Sequence, residues 1–161
     1  MSNTYALIPA AGAGSRMGSS IPKQYQMLAD KPLICHTIET LCAVNAVRMV
    51  CVVLAPGDTR FRDIEWGAGA AQKVQPLYCG GATRAASVLN GLIAMAGTVD
   101  TDDWVMVHDA ARPCLSVAMV DKAPRAQRTG CRGRPCADAG ALRRRARQGA
   151  ARGHNRAQRR L

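Results

Sequence analysis

Two cations bracket a glycine-rich stretch near the start of the chain: Pro9-Ala-Ala-Gly-Ala-Gly-Ser-Arg-Met17 contains Arg16, and Pro22-Lys23-Gln24 follows a few residues later. Arginine offers a planar fork to phosphate oxygens and lysine a compact point charge. Glycine lets backbone N–H groups approach an anion closely because no Cβ intervenes. The stretch follows a short apolar run, Tyr5-Ala-Leu-Ile8, so the expected geometry is a buried strand feeding a turn. It fits neither common glycine fingerprint. Met17 stands where a dinucleotide-binding motif needs its third glycine, and no Gly-Lys-Ser/Thr run makes a P-loop. By residue type alone the loop reads as a phosphate cradle or as a plain structural turn.

Further clusters lie beyond other apolar runs. Pro32 sits well for a first helical position, and Leu33, Ile34, Ile38, Leu41 and Cys42 recur at helical spacing. Met49 to Leu54 is apolar on both faces, as a central parallel strand requires, and Pro56-Gly57-Asp58 breaks it. A short helix is expected around Arg60 to Ile64 and a weaker strand over Lys73 to Tyr78. Gly80-Gly81 then turns the chain, and Thr83 can cap a helix whose apolar face is Val88, Leu89, Leu92, Ile93 and Ala96. The next strand is Trp104 to His108, followed by Asp109-Ala-Ala-Arg-Pro113. Strands alternating with helices predict an α/β fold with a doubly wound, mainly parallel sheet. In such sheets ligands collect at the carboxyl ends of the strands. The loops at Pro9–Met17, Gly80–Ser87 and Asp109–Pro113 are therefore expected to converge on one edge.

Taken in order, these motifs, with Pro22-Lys-Gln-Tyr25 and Val107-His-Asp-Ala-Ala-Arg-Pro113, resemble the 2-C-methyl-D-erythritol 4-phosphate cytidylyltransferase family over roughly residues 5–122. The resemblance implies a Rossmann-like nucleotidyltransferase fold and transfer of the cytidylyl group of CTP to methylerythritol phosphate, releasing pyrophosphate, in isoprenoid precursor biosynthesis. It implies catalytic roles for Arg16 and Lys23, and a triphosphate wrapped by the backbone of Ala10, Ala11, Gly12 and Gly14. Cytosine would be read by main-chain groups near the first loop and near Gly81, helped by the Ser87 hydroxyl. Ser87 taken alone is equally an ordinary polar position in the first turn of a helix. Asp109 would contact ribose or the Mg²⁺, or other divalent cation, that accompanies CTP, and Arg112 would face the phosphate of the second substrate. The competing reading of Asp109 and Arg112 is a local ion pair at a turn. Another nucleotidyltransferase, acting on a sugar or cofactor phosphate, would share the first loop but not the later motifs. Family members form homodimers through an arm that is not recognisable in this sequence.

The remaining candidates are weaker. Asp100, Asp102 and Asp103 read as a solvated loop rather than a metal site. His36 and His108 have no nucleophile beside them. The seven cysteines contain no C-x-x-C spacing and read as buried thiols of a cytoplasmic protein. No basic region precedes an apolar one at the N-terminus, and the longest apolar run is too short to span a bilayer, so no membrane partner is expected.

The net charge of +11 would ordinarily suggest nucleic acid. Its distribution argues otherwise. Residues 1–122 carry ten Lys plus Arg and ten Asp plus Glu, whereas residues 123–161 carry twelve Arg and one acid, Asp138. Arg, Ala, Gly and Pro supply 28 of those 39 residues, and Lys, Ile, Val, Met and every aromatic residue are missing. Arg, Ala, Gly and Pro are the residues of GC-rich codons, so the segment reads as out-of-frame and disordered. An Arg-rich nucleic-acid arm is the rival, but such arms mix Lys with Arg and carry aromatics for stacking. The organisation expected is a nucleotide-binding part over 1–122, its sheet incomplete on the C-terminal side, and a tail over 123–161. That leaves apolar faces and a strand edge bare, which predicts low solubility and impaired turnover. Translating the coding DNA in the other two frames after codon 122 is expected to give a family-like continuation, and its absence from both frames rejects the frame-change reading.

Overall fold

The computed structural model describes residues 3–12 and 21–128, with side chains of the final helix as far as Lys122. Strand β1 (Thr4–Pro9) is buried along nearly its whole length because both of its faces are covered. Ala6 and Ile8 face one core, and Tyr5 and Leu7 face the other, as the two-residue period of a strand dictates. After the glycine-rich loop, one turn of 3₁₀ helix at Lys23–Tyr25 leads into a small antiparallel hairpin, β2 (Met27–Leu28) and β3 (Lys31–Pro32). The hairpin turns on Ala29 and Asp30, both at positive φ (47° and 62°). That is the pairing of a type I′ turn made without glycine, and it escaped the sequence reading for that reason.

Helix α1 (Leu33–Cys42) begins one residue later than expected, with Pro32 as its N-cap rather than its first helical residue, and buries Ile34, Cys35, Thr37, Ile38, Leu41 and Cys42. Strand β4 (Val47–Val53) follows, then a 3₁₀ turn at Arg60–Asp63, the short helix α2 (Ala68–Ala71) and strand β5 (Val74–Leu77). Helix α3 (Arg84–Met95) is capped by Thr83, whose hydroxyl accepts from the Ala86 N–H at 3.0 Å. Strand β6 (Trp104–Val107) and helix α4 (Val117–Arg128) complete the described chain. The tail expected over residues 123–161 does not begin at 123: α4 runs across Lys122 without a break to Arg128, so 123–128 are helical, and residues 129–161 lie outside the described residues.

The four long strands form one parallel sheet in the order β5-β4-β1-β6. The chain moves outward from β1 to β4 to β5, then crosses back to place β6 on the opposite side of β1. Helices cover both faces. Side chains of α1, with Val120 of α4, join Ala6, Ile8, Val50, Val52 and Leu54 in one core. Side chains of α3 join Tyr5, Leu7, Cys51, Val53 and Val107 in the other. Each fully buried Leu or Ile contributes roughly 1.5–3 kcal/mol relative to exposure, so these two layers carry most of the stability. The expected doubly wound parallel sheet is therefore present.

One expected helix face is different. Helix α3 turns Ser87, Val88, Gly91 and Met95 to the sheet, while Leu89 and Ile93 are exposed. The cause is Gly91: a Cβ there would lie 2.6 Å from Val53 Cγ2 and 2.8 Å from Leu7 Cδ1. The helix is drawn so close to the sheet at its glycine that the apolar stripe counted from sequence rotates partly away.

The cysteines also divide. Cys35, Cys42 and Cys51 are buried, and burial pushes each thiol up to about 11. Cys79 is half-buried and Cys114 exposed, so the uniform buried-thiol expectation does not hold. Lys73 closes α1 by donating from Nζ to the Cys42 and Val44 carbonyls at 2.9 and 3.1 Å, where the helix dipole favours a cation. No described helix is long and apolar enough to cross a membrane.

Asp103 does more than line a solvated loop. Its carboxylate accepts from the Asn3 N–H at 2.7 Å and the Asp100 N–H at 3.1 Å, tying the start of β1 to the turn before β6. Desolvation opposes its charge, but the backbone donors outweigh that and hold the carboxyl below its ordinary value of 3.8. A carboxylate depressed in the folded state stabilises above its unfolded pKa and loses that contribution as pH falls through the folded one. Asp103→Asn is therefore expected to lower the melting temperature at pH 7, with the gap to wild type narrowing below about pH 4 in thermal melts across a pH series.

Candidate functional site

The carboxyl ends of β1, β5 and β6 deliver three loops to one edge of the sheet, next to the point where strand order reverses around β1. The first loop leaves β1 through Ala10, whose N–H donates to the Val53 carbonyl at 2.8 Å and extends the strand by one residue. Ala11 is half-buried and Gly12 exposed. A Cβ at Gly12 would meet nothing within 4 Å among the described residues. Gly14 and Arg16, expected to bind and to catalyse, lie outside the described residues.

Lys23 is exposed on its 3₁₀ turn, and its ammonium makes no ion pair among the described residues. Its neighbours fix the turn. Gln24, buried, donates from Nε2 to the carbonyls of Ala10 at 2.8 Å and Gly12 at 3.2 Å. Tyr25 donates its hydroxyl to Asp58 Oδ2 at 2.8 Å, and Asp58 Oδ1 accepts from the Phe61 N–H at 3.2 Å. Burial first, then the Asp58 hydrogen bond and charge, push the Tyr25 phenol well above its ordinary range.

The second loop follows β5. Gly80 donates its N–H to the Leu54 carbonyl at 2.8 Å, and a Cβ on it would lie 2.2 Å from the Ala11 Cβ and 2.8 Å from the Leu54 oxygen. Here glycine is needed for contact between the first and second loops. Gly81 is similarly crowded: a Cβ on it would lie 2.6 Å from the Ala86 Cβ. The buried Ser87 hydroxyl accepts from the Gly81 N–H at 3.1 Å and donates to the Thr83 carbonyl at 3.0 Å. Gly81 and Ser87 are thus brought together, with Ser87 shaping the loop. Asn90 reinforces it from α3, donating to the Cys79 carbonyl at 2.8 Å.

The third loop follows β6. His108 is buried, its N–H donates to the Leu7 carbonyl, and its ring Nε2 meets the Arg112 carbonyl at 3.1 Å. Thr37 of α1 donates to the Ala110 carbonyl at 3.2 Å, anchoring the loop from below. Asp109 pairs through Oδ2 with Arg112 Nε at 3.0 Å and through Oδ1 with Arg84 Nε at 2.8 Å. The local ion pair weighed from sequence is present. Arg84 extends it across two loops, a partnership that sequence separation concealed. Both Asp109 oxygens are committed to arginines, and no group of three or more His, Cys, Asp or Glu is gathered for a metal among the described residues. To ligate a divalent cation here, Asp109 would have to exchange an arginine.

The loops together present backbone N–H groups, one lysine and two arginines, a set suited to a polyphosphate. A model of the 2-C-methyl-D-erythritol 4-phosphate cytidylyltransferase family matches residues 4–145. The chain belongs to that cytidylyltransferase family. Relatives bearing the family's name from Nitrosospira multiformis and Azoarcus sp. are each 54% identical, over 124 and 118 residues. Those alignments cover 76% and 73% of this chain but 53% and 50% of the relatives. A crystal structure of 4-diphosphocytidyl-2C-methyl-D-erythritol synthase superposes with a TM-score of 0.64 at 31% identity, covering 76% of this chain and 53% of that one. The Francisella tularensis 2-C-methyl-D-erythritol 4-phosphate cytidylyltransferase gives 0.59 at 31% identity, covering 78% and 52%. This chain thus spans about half the length of the relatives it matches.

Gly80→Ala tests the loop contact directly. Neither the Leu54 backbone nor the end of β1 can yield cheaply, so a loss of about 1–3 kcal/mol is expected in chemical denaturation, whereas Gly12→Ala is expected to leave stability within about 0.5 kcal/mol.

Proposed function

We propose that this chain binds CTP and carries the nucleotide half of a cytidylyl transfer to methylerythritol phosphate. The observation that supports it most is the seating of Lys23 on a turn tied to the glycine loop, at the edge where the Gly80-Gly81 and Asp109–Arg112 loops also meet. In this reaction a phosphate oxygen of the acceptor forms a bond to the α-phosphorus of CTP. The bond from that phosphorus to the bridging oxygen breaks, and pyrophosphate leaves with the electron pair. The attacking phosphate is already anionic, so no general base is needed. Catalysis of such a step rests on alignment and on neutralising charge over the phosphoryl and leaving oxygens.

The residues divide accordingly. Lys23 supplies charge to the phosphates, and backbone N–H groups of the first loop hold them. The Gly81 and Ser87 region forms the base side. Arg112, and Arg84 through the shared Asp109, stand where a second anionic substrate can be met. Arg16 is assigned its role through the family. Mg²⁺ travels with CTP as part of the substrate and is held chiefly by phosphate oxygens. Residues 1–122 carry this nucleotide part. Residues 123–161 are assigned no role in it, and the protein works in an aqueous compartment.

Titration calorimetry of the 161-residue chain with Mg·CTP is expected to show binding, with Mg·ATP weaker. Lys23→Ala removes a charge-assisted contact and is expected to weaken CTP binding by roughly 10- to 100-fold. Pyrophosphate release with both substrates is expected to fall far below that of a full-length relative. A folded chain with no affinity for CTP would rule the reading out.

A further inference from the structure

Gln24 is nine-tenths buried, with 7% of its surface exposed, and it sits between Lys23 and the Tyr25–Asp58 hydrogen bond. Its amide nitrogen has two protons, and the two acceptors within reach are loop carbonyls two residues apart, Ala10 at 2.8 Å and Gly12 at 3.2 Å. A planar trans peptide points its C=O and the following N–H in opposite directions. The Ala10 carbonyl is turned toward Gln24, so the Ala11 N–H, which has no partner among the described residues, points away from it. A single side chain therefore holds the Ala10–Ala11 peptide at the start of the first loop and, through its own backbone, links it to Lys23.

We propose that Gln24 is a positioning residue that couples the start of the first loop, Ala10 to Gly12, to Lys23, so that the Ala11 N–H and the ammonium act on one anion. This rests on the CTP reading for the identity of the ligand, but the coupling itself is a property of these residues. Tyr25 secures the other side of the same turn, since its hydroxyl bond to Asp58 keeps Lys23 from swinging out with the hairpin that follows. Lysine by itself is a flexible four-carbon stem. The gain from the clamp is that less ordering remains for the ligand to impose.

The test is a double-mutant cycle in the full chain, reading Mg·CTP affinity for wild type, Gln24→Met, Lys23→Ala and the pair, beside thermal melts and the ¹³C carbonyl shifts of Ala10 and Gly12. Gln24→Met, of similar length but without donors, is expected to weaken CTP about ten-fold. Its effect and that of Lys23→Ala are expected to overlap rather than add, and both carbonyl resonances to move. Gln24→Lys restores donors of similar reach and is expected to return the carbonyl shifts toward wild type. Unchanged affinity in a folded Gln24→Met chain, or strictly additive effects, overturns the proposal. Loss of the melt in both Gln24 variants assigns the residue to folding alone and overturns it as well. A folded wild type that binds no CTP defeats the cytidylyltransferase reading. The clamp is then judged on the carbonyl shifts alone, supported if Gln24→Met moves them and refuted if it does not.

Discussion

Parallel pairing of β1 with β4 on one side and β6 on the other is the constraint from which the rest of the structure follows. Four successive residues of β1 supply both cores, Ala6 and Ile8 one and Tyr5 and Leu7 the other, so the strand must be apolar on both faces. Parallel pairing also sends the carboxyl ends of all four long strands to one edge, and every loop that leaves there is brought within reach of the others. A register slip of one residue would exchange Tyr5 and Leu7 with Ala6 and Ile8 and unseat both helical layers. The site is thus a consequence of sheet direction before any of its own side chains is considered.

At that edge a division of labour is visible. Neutral polar side chains are spent on backbone: Gln24 on Ala10 and Gly12, Ser87 on Gly81 and Thr83, Asn90 on Cys79, Thr37 on Ala110. Each such bond is worth about 1 kcal/mol net, but leaving its backbone partner buried and unpaired would cost more. No buried side-chain nitrogen or oxygen is left without a partner among the described residues. The charged groups Lys23, Arg84 and Arg112 are held at the surface by this neutral scaffold. One carboxylate, Asp109, balances two arginines, so the cluster formed with Arg84 of α3 and Arg112 is net positive and responsive to an incoming anion.

The sequence by itself determined the four long strands, because apolar runs such as Met49 to Leu54 admit few other environments. It determined the start of α1, to within one residue, through Pro32 and of α3 through Thr83, whose local chemistry acts within one turn. It also placed the three loops at strand ends, and with them the family. What it could not supply are facts that depend on separation in space. The face of α3 is decided by the approach of Gly91 to Leu7 and Val53, and counting apolar residues gives a glycine no weight. The pairing of Arg84 with Asp109 joins residues 25 apart, and Asp103 holds Asn3 from 100 residues away. Gln24 stood in plain view beside Lys23, yet an amide on a turn has no direction until the carbonyls opposite it are known. Periodicity and local capping are written along the chain, whereas the partners of a hydrogen bond between loops are set only when the parallel sheet brings its ends together.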